Sequence, residues 1–163
     1  MTDCTLLEAT QTMNVGMGQA SVGGAEYTLQ SVLGSCIGLV LHHPRMKYAA
    51  MAHVVLPDSA GRDACPAKFA DTAVPYLIAE LAKLGVPSSG LVAKIAGAAS
   101  MFGVTGPMQI GESNIAAVRK ALQKAGLPIM GENLGGNKGR RVQLNCVSGT
   151  YTIEILGQPV VKL

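Results

Sequence analysis

The sequence is poor in aromatic and charged residues. Aromatic residues make up 4% and charged residues 14% of its 163 residues, tryptophan is missing, and the net charge is only +3. Few aromatic side chains leave little surface on which bases can stack, and a small net charge gives weak attraction to phosphates. The short basic cluster formed by Lys138, Arg140 and Arg141 is predicted to be a solvated loop. A nucleic-acid partner is therefore not expected.

Long apolar runs and a secretion signal are also missing. The densest apolar stretch, residues 48–57, is interrupted by His53 and is much shorter than the roughly 20 residues of a membrane-spanning helix. Met1 is followed by Thr2 and Asp3. This start does not form the basic region, followed by an apolar one, that a secretory signal requires. These absences predict a cytoplasmic protein without membrane insertion.

Cysteines are few and widely separated. The four of them are Cys4, Cys36, Cys65 and Cys146, and no two form a CxxC pair. This spacing disfavours both a clustered zinc site and a redox-active dithiol, so neither a metal nor another cofactor is expected. Each cysteine is then a free thiol that either fills the core or acts as a nucleophile.

The hydrophobic patterning predicts one domain spanning residues 1–163. Residues 1–25 have weak periodicity and are predicted to be a loosely attached N-terminal segment. Helices are predicted at residues 67–84 and 113–125, with Ser113 as the N-cap of the second. Strands are predicted near residues 13–17 and at 27–32, 36–42, 48–56, 91–96, 129–134, 141–147 and 150–156. Hairpins combined with two long helices predict a layered α+β fold and not a doubly wound parallel sheet.

The strands at 36–42 and 48–56 are predicted to form a hairpin that carries the chemistry. If its loop is centred between Pro44 and Arg45, Cys36 lies directly opposite His53, close enough for an imidazole to reach a thiol. A neighbouring imidazolium lowers the pKa of a thiol and so activates it as a nucleophile. A slip of one residue would place the two side chains on opposite faces. The alternative is that both residues are structural members of the core.

Several short motifs follow one another between roughly residues 33 and 149. These motifs are Gly34-Ser35-Cys36, Met51-Ala52-His53, Leu56-Pro57, the segments 68–73, 94–102 and 110–114, and Gly135-Gly136-Asn137. In these motifs, in their order and in their spacings, the sequence resembles the CheD family of chemoreceptor glutamine deamidases.

This resemblance implies both a fold and an activity. The implied fold is a layered domain with β-sandwich-like sheets built from hairpins and flanked by two main helices. The implied activity is conversion of selected glutamines of methyl-accepting chemotaxis receptors to glutamates, with Cys36 and His53 as catalytic residues. Attack by a cysteine on an amide implies a thioester intermediate, and the backbone N–H of Cys36, preceded by Gly34 and Ser35, is a candidate oxyanion donor. The resemblance also implies a CheC-type phosphatase as a partner.

The sequence departs from the family pattern at three positions. A threonine commonly stands six positions before the cysteine as a third catalytic member, and here that position is Gln30. Thr28 and Gln30 share one face of their predicted strand and Ser31 the other, so Gln30 is predicted to orient His53. The alternative is that Gln30 is a solvated edge residue and that a backbone carbonyl or water orients His53. The smaller departures are Phe69 in place of tyrosine and Ala98 in place of a second glycine.

Three alternative functions deserve comparison with the deamidase. A metal hydrolase using His42, His43, His53 and Cys36 is disfavoured because adjacent residues of a strand point to opposite faces. A nucleotide site at Gly16 and Gly18 is disfavoured because a third glycine and a following helix are missing. A non-catalytic adaptor of the same fold, binding CheC or receptors, stays open. In an adaptor, Cys36 would react with thiol reagents no faster than Cys65.

Overall fold

The computed structural model describes residues 11–100 and 110–163. Within these residues ten strands form two five-stranded sheets. Sheet A runs in the order β1 (Gln11–Asn14), β3 (Tyr27–Leu33), β8 (Arg140–Asn145), β9 (Tyr151–Glu154), β10 (Val161–Lys162). Sheet B runs in the order β2 (Ala20–Gly23), β5 (Tyr48–Val54), β4 (Ile37–His43), β6 (Val92–Gly97), β7 (Ile129–Leu134). The helices are α1 (Ala70–Lys83) and α2 (Ile110–Ala125).

Sheet B is the middle layer of the molecule. Its central strand β4 is buried along its whole length. Leu39 and Leu41 pack in the core formed with the two helices, whereas Val40 packs in the core shared with sheet A. A strand buried on both faces is apolar on both, which explains the continuous apolar run in this part of the sequence. The predicted layered α+β fold, with sandwich-like sheets flanked by two helices, is confirmed.

The N-terminal segment is part of both sheets wherever it is described. Strand β1 pairs in parallel with β3, and β2 pairs antiparallel with β5. Val15, which lies between β1 and β2 in the sequence, is only 2% exposed. For residues 11–25 this corrects the prediction of a loosely attached segment, because backbone pairing and burial anchor it.

Both helices begin at residues other than those predicted. Phe69 is extended, with φ −116° and ψ 135°, and forms an isolated parallel bridge with Leu56, so α1 begins at Ala70 and not at residue 67. Helix α2 already includes Ile110. Ser113 therefore lies inside the helix and is not its N-cap.

The hairpin of β4 and β5 has a different centre from the one predicted. His43 pairs with Tyr48, which leaves residues 44–47 in the loop and places Gly38, instead of Cys36, opposite His53. The turn is held by His43, whose carbonyl oxygen accepts from Lys47 N–H at 2.8 Å and whose Nδ1 accepts from Met46 N–H at 3.1 Å. The predicted pairing is thus wrong by two residues. A shift of two preserves the face to which each side chain points.

Helix α1 allows a direct test of the core that lies between sheet B and the two helices. Leu77 is completely buried, whereas Leu84, just after the helix, is 49% exposed. Leu77→Ala is expected to lower the free energy of unfolding by about 2–5 kcal/mol, since truncation leaves a cavity. Leu84→Ala is the matched control, with a much smaller expected effect, and urea denaturation measures both. Equal losses in the two variants would contradict the assignment of Leu77 to the core.

In the part of the chain that the structure describes, no helix combines the length and the apolar character needed to cross a bilayer.

Candidate active site

His53 is held near the end of β5 on the face of sheet B that looks towards sheet A. Its side chain is only 3% exposed. Its backbone N–H donates to the carbonyl oxygen of Gln19 at 2.9 Å, and its own carbonyl oxygen accepts from Gly18 N–H at 3.0 Å. The segment before β2 therefore fixes the backbone from which the imidazole projects.

The hydrogen bonds around His53 determine its tautomer. Nδ1 lies 2.9 Å from Ser31 Oγ and 3.3 Å from the carbonyl oxygen of Val15. Ser31 Oγ donates its one proton to the same carbonyl oxygen, at 2.6 Å. Because a carbonyl oxygen only accepts and the hydroxyl proton is already used, Nδ1 must carry the proton that it shares with these oxygens. Nε2 then carries the lone pair, so it is the basic nitrogen of the ring.

Ser31, and not Gln30, occupies the orienting position. Gln30 projects from the other face of β3, where its Nε2 donates to Asn14 Oδ1 at 2.5 Å and its Oε1 accepts from Gln143 Nε2 at 3.2 Å. This corrects the prediction that Gln30 orients the imidazole. The signal that could have identified Ser31 is its spacing of two from Leu29 and Leu33, since all three share the buried face of the strand.

Cys36 lies in the bend between β3 and β4, directly before the first residue of β4. With Gly38 opposite His53, a continued pleat places Cys36 on the same face as the imidazole and diagonal to it. Cys36 is 8% exposed. The structure thus brings the predicted nucleophile and base to one end of sheet B, on the side of Ser31.

Backbone carbonyls of the nucleophile loop, residues 34–36, are held from outside it. Ala99 N–H donates to the oxygen of Gly34 at 3.0 Å, and Ala98 N–H donates to the oxygen of Cys36 at 2.8 Å. The oxygen of Ser35 accepts from Nδ2 of Asn114 at 3.4 Å. Asn114 is completely buried, and its Nδ2 also donates to the carbonyl oxygen of Val55 at 3.0 Å. Asn114 therefore joins the loop to the end of β5, a role that the sequence did not predict.

The turn that holds Cys36 requires an unusual backbone. Gly97 has φ 116°, and a Cβ atom added there would clash with the carbonyl oxygen of Cys36. Ala98 has φ 57°, a left-handed conformation that costs a non-glycine residue roughly 1–2 kcal/mol. The departure from the family's second glycine therefore falls at a strained position.

Burial favours the uncharged forms of the thiol and the imidazole. Burial raises the pKa of the Cys36 thiol above its ordinary value of 9.0. Burial lowers the pKa of His53 below its ordinary 6.5, although the hydrogen bond to the Val15 carbonyl opposes that shift. Both shifts favour the uncharged forms, a thiol and a neutral imidazole. The activation of the Cys36 thiol by an imidazolium stays a prediction.

The other cysteines and histidines lie in different environments. Cys146 is completely buried, which raises its pKa to about 12, whereas Cys65 is exposed. His42 and His43 stand at the far end of β4 from Cys36, and Nε2 of His43 lies 3.0 Å from the carbonyl oxygen of Ser89. This separation argues against the metal-hydrolase alternative. In residues 11–100 and 110–163 no group of three or more His, Cys, Asp or Glu residues is arranged to hold a metal ion.

A cavity of about 400 Å³ lies beside His53. Two exposed apolar side chains border it, Met17 at 68% and Val32 at 71% exposure. Its other lining residues are Asn14, Val15, Gly16, Gln30, Ser31 and Arg141. Gln30 therefore remains at the cavity wall although it does not contact the imidazole.

This layered fold, with a thiol and an oriented imidazole at one end of its middle sheet, is suited to nucleophilic chemistry on a carbonyl group. The sequence model of the family described as "CheD chemotactic sensory transduction" matches residues 55–155. The chain belongs to the CheD family. The matched region begins after Cys36 and His53.

Named relatives match over most of their length. A "Probable chemoreceptor glutamine deamidase CheD" of Clostridium kluyveri is 41% identical over 157 residues, covering 93% of this chain and 97% of the relative. The "Chemoreceptor glutamine deamidase CheD" of Thermotoga maritima is 46% identical over 125 residues, covering 77% and 79%. A "Probable chemoreceptor glutamine deamidase CheD" of Methanococcus vannielii is 41% identical, covering 86% and 93%.

Proposed function

We propose that this chain deamidates glutamine side chains of chemoreceptors, with Cys36 as the nucleophile and His53 as the general base. The names of the relatives support the substrate, since each describes a chemoreceptor glutamine deamidase. The observation that carries the chemistry is the pair of contacts that Nδ1 of His53 makes with Ser31 Oγ and the carbonyl oxygen of Val15. We infer from them that Nδ1 carries the proton, which leaves Nε2 free to accept one.

The first half of the reaction forms a thioester. Nε2 of His53 takes the proton of the Cys36 thiol as Sγ attacks the carbonyl carbon of the glutamine side chain, and a C–S bond forms. The imidazolium then gives its proton to the amide nitrogen. The C–N bond breaks, ammonia leaves, and an acyl thioester on Cys36 remains.

The second half of the reaction hydrolyses the thioester. Nε2 takes a proton from water while the water oxygen attacks the thioester carbon. The C–S bond breaks, and the imidazolium returns its proton to the departing sulfur. The product is a glutamate side chain, and the enzyme regains its neutral thiol and imidazole without a cofactor.

The backbone of the nucleophile loop supports an oxyanion site. The carbonyl group of Ser35 points towards Asn114, with which it shares a hydrogen bond. In a trans peptide the N–H of the next residue points the opposite way, so the amide of Cys36 is directed away from Asn114. This orientation leaves the predicted oxyanion donor available to a substrate oxygen.

Ser31 and Gln30 form a matched pair for testing the orientation of His53. Ser31→Ala is expected to lower the kcat for deamidation by about 10- to 100-fold, since an orienting partner of a reacting imidazole is lost. Gln30→Ala, one residue away, is expected to lower kcat less than Ser31→Ala, since Gln30 lines the cavity but does not contact the imidazole. Ser31→Thr keeps the hydroxyl and is expected to restore part of the activity. A harmless Ser31→Ala together with a damaging Gln30→Ala would reverse the assignment.

Mass spectrometry of receptor peptides tests the proposed activity itself. The cytoplasmic helices of a recombinant chemoreceptor are incubated with the protein, digested, and searched for glutamines converted to glutamates. We expect conversion at selected positions that increases with enzyme concentration. A receptor whose glutamines are the same with and without the protein would contradict the proposal.

The partner and the cellular location stay predictions. A CheC-type phosphatase is implied by resemblance, and pull-down with purified CheC is the direct test. The adaptor alternative is decided by the relative alkylation rates of Cys36 and the exposed Cys65. Faster alkylation of Cys36 in spite of its burial supports the enzyme, because only assistance by His53 explains it.

A further inference from the structure

Arg140 is buried although its sequence context predicts a solvated loop. It is 4% exposed, whereas its neighbour Arg141 is exposed. The ion pairs found among the described residues join Lys83 to Glu80 and Arg119 to Glu132, so neither neutralises Arg140. Burying a charge without a carboxylate is unfavourable unless hydrogen bonds compensate for the lost water. The prediction of a solvated basic cluster is therefore wrong for Arg140.

Oxygen atoms at the end of β7 and in the loop after it provide this compensation. Nη1 of Arg140 donates to the carbonyl oxygen of Asn133 at 2.9 Å and to its Oδ1 at 2.6 Å. Nη2 donates to the carbonyl oxygens of Gly135 and Lys138. Gly135 and Gly136 both have left-handed backbones, with φ 86° and 76°. Two consecutive left-handed glycines make a loop that loses much conformational entropy when it is ordered. The planar guanidinium of Arg140 offsets this loss by donating several hydrogen bonds to the loop at once.

The loop that Arg140 binds, which contains Gly135 and Gly136, is hydrogen-bonded to the turn that follows β6. Gly135 N–H donates to the carbonyl oxygen of Gly97 at 2.9 Å, and Ser100 N–H donates to that of Gly136 at 2.8 Å. The same turn supplies the N–H groups of Ala98 and Ala99 that bind the nucleophile loop. A continuous series of hydrogen bonds therefore runs from the guanidinium of Arg140 to the backbone of Cys36.

We propose that Arg140 is a positioning residue for the nucleophile Cys36, acting through the loop after β7 and the turn after β6. The proposal rests on the proposed function of this site. Arg140 does not touch the reacting atoms. Its effect is to keep the thiol within reach of the imidazole, and displacement of a reacting group by about 1 Å through a distant change can cost roughly 100-fold in rate.

The test compares Arg140→Met and Arg140→Lys with Arg45→Met. The control changes an exposed arginine in the turn formed by residues 44–47, at the opposite end of β4 from Cys36. The kcat and KM for deamidation are measured separately. In the same native samples, iodoacetamide labelling of Cys36 is compared with that of Cys65 by peptide mass spectrometry across pH. Cys65 is exposed and serves as an internal standard.

The expected result is a fall in kcat of about 10- to 100-fold for Arg140→Met with little change in KM. The ratio of Cys36 to Cys65 labelling at neutral pH falls in parallel, and Arg140→Lys shows a smaller loss. Arg45→Met stays like the wild type. The labelling ratio needs no receptor substrate, so it tests the positioning role even if the proposed deamidation is not observed.

Three outcomes would overturn the proposal. The first is a wild-type kcat and labelling ratio in Arg140→Met. The second is an equal loss in Arg45→Met. The third is loss of near-ultraviolet circular dichroism in both Arg140 variants, which would make Arg140 a general stabiliser of the core.

Discussion

Cys36→Ala is expected to abolish deamidation of receptor glutamines, with a loss of at least roughly 1000-fold in initial rate, because no other group can form the thioester. The substitution removes a single sulfur atom from a loop whose backbone hydrogen bonds remain, so the fold is expected to persist. Mass spectrometry of receptor peptides measures the rate, and near-ultraviolet circular dichroism reports the fold.

The matched control for this loss is Cys65→Ala. Cys65 is an exposed free cysteine at a left-handed position just before the short helical turn Pro66–Lys68. Its replacement is expected to leave the rate near that of the wild type. Residual wild-type activity in Cys36→Ala, or an equal loss in Cys65→Ala, would remove the cysteine mechanism.

His53→Ala is expected to lower the rate of deamidation by about 10²- to 10⁴-fold, the usual contribution of a positioned general base. It is also expected to slow the alkylation of Cys36 near neutral pH. In the wild type, assistance by the imidazole begins as pH rises through the His53 pKa, which burial has moved below 6.5. The thiol's own ionisation follows only above 9.0, since burial has raised that pKa.

The pH profile of Cys36 alkylation therefore distinguishes two resting states of the site. A neutral pair gives two rises with increasing pH, and His53→Ala keeps only the alkaline one. A thiolate and imidazolium pair would instead give full alkylation of Cys36 from acidic pH onwards. His53→Ala would then lose the reactivity at acidic and neutral pH. That second profile, or a rate unaffected by His53→Ala, would contradict the neutral pair.

The hairpin of β4 and β5 shows how much of the site can be predicted from the sequence. The two apolar runs, the turn at Pro44 and the shared face of Cys36 and His53 were predictable from patterning. The loop centre was not, because His43 selects it by accepting hydrogen bonds from the turn with its ring and its carbonyl oxygen. The resulting error of two residues moved Cys36 along the strand direction but kept it on the face of His53.

The partner of His53 was predicted on the wrong face of β3. Alternation correctly separated Gln30 from Ser31, but the inward face depends on how the two sheets pack. Leu29 and Leu33 mark that face and share it with Ser31. The carbonyl of Val15 has no side-chain signal, since a main-chain acceptor is placed by the backbone. Val15 directly follows β1, and its N–H donates to the carbonyl oxygen of Gln30 at 2.8 Å.

Asn114 and Arg140 show a different limit. Both are polar side chains whose acceptors are backbone carbonyls of segments distant in the sequence or in irregular loops. No residue pattern marks such acceptors, because their direction is a property of the folded backbone. Local context therefore suggested solvent for Arg140, although the fold buries it.

Trapping of the acyl-enzyme tests the central claim most directly. Wild-type protein and a receptor peptide are mixed, quenched in acid within the first turnovers, digested under conditions that preserve thioesters, and analysed by mass spectrometry. The predicted result is a Cys36-containing peptide that has gained the mass of the receptor peptide less ammonia, and that is absent from Cys36→Ala. Deamidation that continues in Cys36→Ala, with no adduct on Cys36 in the wild type at any time point, would contradict the account.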